Sequence, residues 1–194
     1  VDDRGGQYTK TSPEQYGAII DEAHKLGVRV AAHIYSMEDA RGLLRAGIDA
    51  FAHGIRDKDL DDETIEMFRE RSNVVLIPNL PDRGIVMDYG WLKGSISDED
   101  LAKLQANSKD DPEKEEFFGI QSRNLDALYK AGVKIAMGTD GRIMWEAHQQ
   151  MENMVSSGMS PADVIVAATK TSAEVIGLYD AGTIEAGKSA DFVV

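Results

Sequence analysis

Cysteine is absent from the 194-residue chain. Disulfides and thiolate metal sites are thereby excluded, and imidazoles and carboxylates remain as the side chains able to bind metal. Long hydrophobic runs are missing too: no stretch of about 18 apolar residues occurs, so nothing reads as a membrane-spanning helix. Positive charge is scarce, with 21 Lys and Arg against 34 Asp and Glu and a formal charge of −13. That balance argues against a nucleic-acid partner, whose phosphates are gripped by clustered cations. The opening "VDDRGGQYTK" has neither the basic start nor the apolar core of a signal peptide. Since it begins with Val1 rather than Met, the natural N-terminus is expected to lie upstream. The compartment therefore stays open, with the cytoplasm as the expectation. Apolar residues make up 42% of the chain, enough for one core, yet the length falls short of the roughly 250 residues of a complete α/β barrel.

What is present is a repeated pattern. "SPEQYGAIIDEAHKLG" carries Ser12 as a helix N-cap, Pro13 at the first helical position and Gln15 to complete a capping box. Its Tyr16, Ile19, Ile20, Ala23 and Leu26 recur at helical spacing, and Gly27 ends it. "VRVAAHIY" follows, a short run of the kind expected for a strand buried on both faces. The same order recurs three times. A helix from Ser36 to Gly47 precedes "IDAFAHG", "DDETIEMFRERS" precedes "NVVLIPNL", and "EFFGIQSRNLDALYKAG" precedes "VKIAMGTDG". Four helix-then-strand units joined by right-handed crossovers make a parallel sheet whose strand C-termini open on one face.

The connection from Pro81 to about Pro112 is longer than ordinary βα loops. It contains Tyr89, Trp91 and a predicted short helix "SDEDLAKLQ", and is a candidate lid or specificity loop. The acidic runs Asp57 to Glu63 and Asp110 to Glu116 lack the glycine and ligand spacing of a calcium loop and are expected at solvated helix starts. "SPADVIVAATKTSAEVIGL" predicts a further capped helix with Ser160 and Pro161, and "DAGTIEAGKSADFVV" reads as a turn and an opening strand.

Aligned on the helix-ending glycines, His33 lies six residues after Gly27, His53 six after Gly47 and Asp140 eight after Gly132. All three fall at C-terminal ends of parallel strands, the face where α/β folds place their chemistry. Two imidazoles and a carboxylate converging there suit a divalent metal, zinc above all, with one open position for water. His148 follows Asp140 by eight residues, at the start of a helix, and is a candidate for substrate contact. His24 sits on a helix and reads as a surface or partly buried residue. Arg4, Arg83 and Arg142 lie in predicted loops and offer planar forks for a substrate carboxylate, although each also reads as an ordinary surface residue. Tyr35, Asn79, Tyr89, Trp91 and Trp145 are candidate pocket lining.

The segments "DEAHKLGVRVAAHIY", "AGIDAFAHG", "AGVKIAMGTDG" and "GTIEAGKSADFVV" resemble, in that order, the later half of the metal-dependent amidohydrolase superfamily. The imidazolonepropionase-like and prolidase-like branch fits best. The resemblance implies a partial (β/α)8 barrel over residues 1–180, from the exit of strand four through strand eight. It makes residues 181–194 the beginning of a small β-sandwich. On that reading His33 ends the fifth strand, His53 the sixth, "NVVLIPNL" is the seventh, and Asp140 ends the eighth. The His-x-His pair of a first strand and the lysine of a fourth, which related enzymes carry, find no counterpart in this sequence, so the chain reads as a fragment with an open edge at its first strand. The resemblance implies one or two zinc ions, with His33, His53 and Asp140 as ligands. Asp140 then transfers protons and His53 polarises the substrate where it is not a ligand. The implied reaction is hydrolysis of an amide, cyclic amide or dipeptide C–N bond by a metal-activated water, with Tyr35, Asn79, Arg142 and His148 contacting the small substrate. Association into a homo-oligomer is a further expectation. Two rival readings stand beside it: a non-catalytic half-barrel or assembly module with structural histidines, and a lyase or phosphate-site isomerase. The second is disfavoured by the lack of a glycine-rich phosphate loop.

Overall fold

A computed structural model describes residues 9–141 and 145–192. The chain divides into two compact units: residues up to Leu80 together with those from Ile120 onward, and the inserted Pro81–Gly119.

The four expected helix–strand pairs form, within the larger unit save for residues 112–119. They are α1 (Pro13–Lys25) with β1 (Ala31–His33), α2 (Met37–Ala46) with β2 (Ala50–Ala52), α3 (Asp62–Glu70) with β3 (Val75–Ile77), and α5 (Pro112–Lys130) with β4 (Lys134–Ile135). Local chemistry explains their boundaries. Ser12 Oγ accepts the Gln15 N–H at 3.3 Å while Gln15 Oε1 accepts the Ser12 N–H at 2.9 Å, the reciprocal capping box read from sequence. Ser36 and Asp61 cap α2 and α3 with a side-chain oxygen that accepts the Asp39 and Thr64 N–H respectively. Gly47 ends α2 with φ 97°, a left-handed conformation that costs glycine little. Helix α5 starts four residues before the expected Glu116, inside the acidic run, because Pro112 suits a first helical position and the Asp111 carboxylate accepts the Lys114 N–H at 3.2 Å.

The strands are parallel and ordered β1-β2-β3-β4, so spatial order repeats chain order. Winding in one direction without reversal is the pattern of an arc of a (β/α)8 barrel, whereas a doubly wound sheet reverses at a switch point. Register places Phe51 beside Leu76 and Leu76 beside Ile135. These residues are buried, with Phe51 stacked at a tilt on Phe68 of α3, ring centroids 5.4 Å apart. Leu76 also shares a small apolar cavity with Phe68, Leu125 and Leu128 from α3 and α5. The opposite face carries a smaller cluster of Ala50, Val75 and Ala136, against which Ile77 and Val175 pack.

Two expectations are corrected. Strand β1 is not buried on both faces: Ala31 and His33 are exposed, since β1 is an edge with β2 as its one paired neighbour among the described residues. The tail does not open a strand within the described residues up to 192. A lone extended segment has no ladder for its N–H and C=O groups, and here the Ser189 N–H donates to the Asp180 carbonyl nine residues back at 2.7 Å.

After β4 come α6 (Glu146–Ser156), α7 (Pro161–Val166), a π turn (Ala167–Thr171) and α8 (Ser172–Ile176). The inserted unit holds a 3-10 turn (Gly90–Leu92) and α4 (Asp98–Asn107), the short helix expected there. Inside it Gln105 bonds the Met87 carbonyl at 2.8 Å and accepts the Tyr89 N–H at 3.0 Å, and Met87 and Leu92 are buried. No helix among the described residues is long and apolar enough to cross a membrane.

Candidate active site

The strand C-termini gather the residues marked in the sequence. His33 is the last residue of β1, His53 follows β2 directly, Asn79 lies two residues after β3, and Asp140 lies in the turn after β4. The rings of His33 and His53 face each other with centroids 4.8 Å apart and planes at 43°. His53 Nε2 lies 3.6 Å from Asp140 Oδ2, an ion-pair distance longer than a hydrogen bond. His53 is 7% exposed, while the Asp140 side chain is 61% exposed. The pair therefore joins a buried imidazole to a carboxylate open to solvent.

The backbone here is unlike that of the rest of the sheet. His53 (φ 75°), Asn79 (φ 42°) and Asp140 (φ 53°) are the non-glycine residues with positive φ among those described. Such conformations are uncommon outside glycine, and their clustering at three successive strand ends marks a site held in shape by its surroundings. Neighbouring strands supply the restraint. The His53 N–H donates to the Ile77 carbonyl at 2.8 Å, the Gly54 N–H to the Pro78 carbonyl at 3.3 Å, and the Ala136 N–H to the Leu76 carbonyl at 2.9 Å. Gly138 is required by close approach: a Cβ there would stand 2.4 Å from Asn79 Oδ1 and 2.6 Å from Ile77 Cγ2. Asn79 Oδ1 is buried and makes no hydrogen bond among the described residues.

Of the other predicted residues, some are exposed and some lie outside the described residues. Tyr35 is 40% exposed, with its carbonyl accepting the Arg56 N–H at 2.8 Å. His148 is exposed in the first turn of α6. Arg142 and Arg4 lie outside the described residues. His24 pairs with Asp49, Nε2 to Oδ2 2.8 Å, and that carboxylate also accepts the Val30 N–H at 2.7 Å; it ties α1 to the N-terminal ends of the strands, remote from the chemistry. Two contributors carried no sequence signal. Glu146 brings its carboxylate over Gly141, where a Cβ would lie 1.2 Å from Oε2, so a second acid stands beside the Asp140 turn. Gln150 clamps α6 to the chain after β3, accepting the Leu80 N–H at 2.9 Å and donating to the Leu80 carbonyl at 2.6 Å.

As donors, two imidazoles and a carboxylate with no thiolate fit a borderline divalent cation, and Asn79 Oδ1 adds a buried oxygen lacking a donor. Among the described residues no three His, Asp or Glu side chains are arranged to hold one ion; His33 and Asp140 meet through His53 as two pairs.

The sequence profile of the amidohydrolase family matches residues 7–194. The chain belongs to the amidohydrolase family. Within it, the resemblance to imidazolonepropionase-like and prolidase-like members stands. This amidohydrolase chain is 34% identical to a putative prolidase from Bifidobacterium longum, with a TM-score of 0.68 over 94% of this chain and 44% of that one. It is 26% identical to the ochratoxinase of Aspergillus niger over 195 residues, 98% of this chain and 37% of that protein. Over 84 residues it is 36% identical to the imidazolonepropionase of Shouchella clausii, covering 40% of this chain and 19% of that one. The chain thus spans about two fifths of the relatives that it matches end to end.

Proposed function

We propose that this amidohydrolase chain supplies the second half of an active site that hydrolyses the C–N bond of a small amide, cyclic amide or dipeptide-like substrate. The observation that carries the reading is the gathering of His33, His53 and Asp140 at the C-terminal ends of the parallel strands β1, β2 and β4, His33 against His53 and His53 against Asp140. Membership of the family and likeness to a putative prolidase, an ochratoxinase and an imidazolonepropionase support it.

His33, His53 and Asp140 are the residues that would hold one or two divalent ions, zinc by donor chemistry. When bound, such an ion brings the pKa of its water to about 7 and polarises a carbonyl. The protein's own part follows from its geometry. Asp140, open to solvent, receives the proton of the attacking water and delivers it to the leaving nitrogen, so one carboxylate serves as base and then acid. His53, buried and held by the Ile77 carbonyl, presents Nε2 toward the same point and stabilises the developing oxyanion when it is not a ligand. Asn79, Tyr35, Arg142 and His148 contribute to substrate contact, with the Asn79 carboxamide oxygen ready to accept an N–H.

The test is hydrolysis of a panel of dipeptides and N-acyl amino acids by the protein carrying this chain, beside its Asp140→Asn and His33→Ala variants, with metal content measured in each. Asp140→Asn is expected to lower kcat by about 10²- to 10⁴-fold, the range for removing a positioned proton-transfer group. Undiminished hydrolysis by Asp140→Asn, or a protein that takes up no divalent metal, would sink the reading.

A further inference from the structure

Among the described residues the sheet ends at β4, yet the polar backbone of Met137 on that side is not left to solvent. The Ala136 N–H points to β3, so the Met137 N–H points the other way, where a further strand would pair. It meets instead the π turn between α7 and α8. The Met137 N–H donates to the Ala167 carbonyl and to Ser172 Oγ, each at 3.2 Å. The Ser172 hydroxyl lies 2.7 Å from the Ala167 carbonyl and 3.3 Å from the Met137 carbonyl. A serine in a regular α-helix bonds back three or four residues; Ser172 bonds back five, a reach given by the widened turn. The helical run is fixed at both ends. Ser160 caps α7, with Asp163 accepting from the Ser160 hydroxyl at 2.5 Å and from the Tyr129 hydroxyl at 2.6 Å, and the Arg29 guanidinium grips the Glu174 and Val175 carbonyls at the end of α8.

We infer that Ser172 and the π turn act as a strand surrogate that positions Asp140. Met137 is three residues before Asp140, and between them Gly138 is pressed under Asn79 and Ile77. The turn bearing Asp140 is thus clamped from β3 on one side and from the π turn on the other, and Asp140 holds its left-handed backbone at the end of a segment with no slack. The widened turn brings the Ser172 hydroxyl onto the Ala167 carbonyl five residues back, so both groups face Met137 together. Ser172 is a positioning residue, acting through Met137 on Asp140. The inference rests on the proposed metal-holding role of Asp140.

The experiment is Co²⁺ titration of the protein, followed by visible d–d absorption, in wild type, Asp140→Asn, Ser172→Ala and Ser172→Thr. Asp140→Asn is expected to weaken Co²⁺ binding and change the band. Ser172→Ala should weaken it about tenfold, the lower end of the effect of removing a residue behind a ligand, with a shifted band, whereas Ser172→Thr keeps the hydroxyl and binds within about twofold of wild type. Loss in Asp140→Asn with Ser172→Ala unchanged overturns the clamp alone; no loss in Asp140→Asn overturns the metal role and the clamp with it. A Thr variant as weak as Ala also overturns the clamp. A measurement on wild type covers the case in which Ser172→Ala does not fold. Coupling is reciprocal, so Zn²⁺ should slow hydrogen exchange about tenfold at the Met137 amide. Equal exchange with and without Zn²⁺ counts against the clamp.

Discussion

The two sides of one sheet follow opposite rules. Against the helices, Phe51, Leu76 and Ile135 sit in ordinary strand geometry and are covered by Phe68, Leu125 and Leu128. At the strand ends, a few residues along the same strands, the chain turns left-handed at His53, Asn79 and Asp140 and buries an oxygen with no donor. The helix side is consistent at every level, from propensity to packing; the strand ends break local rules in three neighbouring places. Stability made on one side is what lets the other remain in a conformation that it would not adopt alone.

The largest effect is expected where packing is densest. Phe68→Ala, at a residue 1% exposed and stacked on Phe51, should destabilise the protein by about 3–5 kcal/mol in urea denaturation. A cost under about 1 kcal/mol would remove the contrast between the two sides. Next comes Gly138→Ala. The added methyl meets Asn79 and Ile77 well inside contact distance, so a loss of about 1–3 kcal/mol is expected, accompanied by NMR shifts at Asn79 and Asp140 and none at Phe51. Wild-type stability in that variant would mean that the strand ends have room to give. The smallest effect concerns acid. Hydrogen bonds from the Thr64 hydroxyl and N–H, and then from Arg41, hold the Asp61 carboxyl down at about 2 instead of 3.8. Because the folded value is the lower one, its contribution is complete above about pH 4 and fades as pH falls through about 2. Carboxyl NMR should give that midpoint for Asp61, and Asp61→Asn should flatten the stability slope between those pH values; a midpoint near 4 would show that the cap does not hold in solution.

Much of the helix side was legible beforehand because its determinants are local. Ser12, Gln15 and Gly47 state where helices begin and end within a few residues, and the repeat of helix then strand dictates the parallel order. The shared offset of His33 and His53 from their helix-ending glycines placed both at the mouth. What was not legible depends on distant neighbours. Left-handed backbone at Asn79 goes with its close packing on Gly138, the π turn with a hydrogen bond from Met137, and the Glu146 carboxylate reaches Gly141 from the start of α6. The exposure of β1 is not written in "VRVAAHIY", which has the composition of an interior strand, while its position at the sheet edge is a property of the assembled fold. The tail up to residue 192 follows the same logic, since strand-like residues form a strand when a partner strand is beside them.

The chain-order succession of strands has a consequence for how the protein reaches this state. Each strand docks on the one made just before it, so most of the sheet closes through short excursions of chain, the kind of contact that favours fast folding. The grip of Arg29 on Val175 is of another kind, joining residues 146 apart. Its entropy cost grows slowly with loop length, yet it gains nothing until both ends are already built. That contact therefore joins the two ends of the chain's larger unit and rewards only a chain whose arc of strands is already in place.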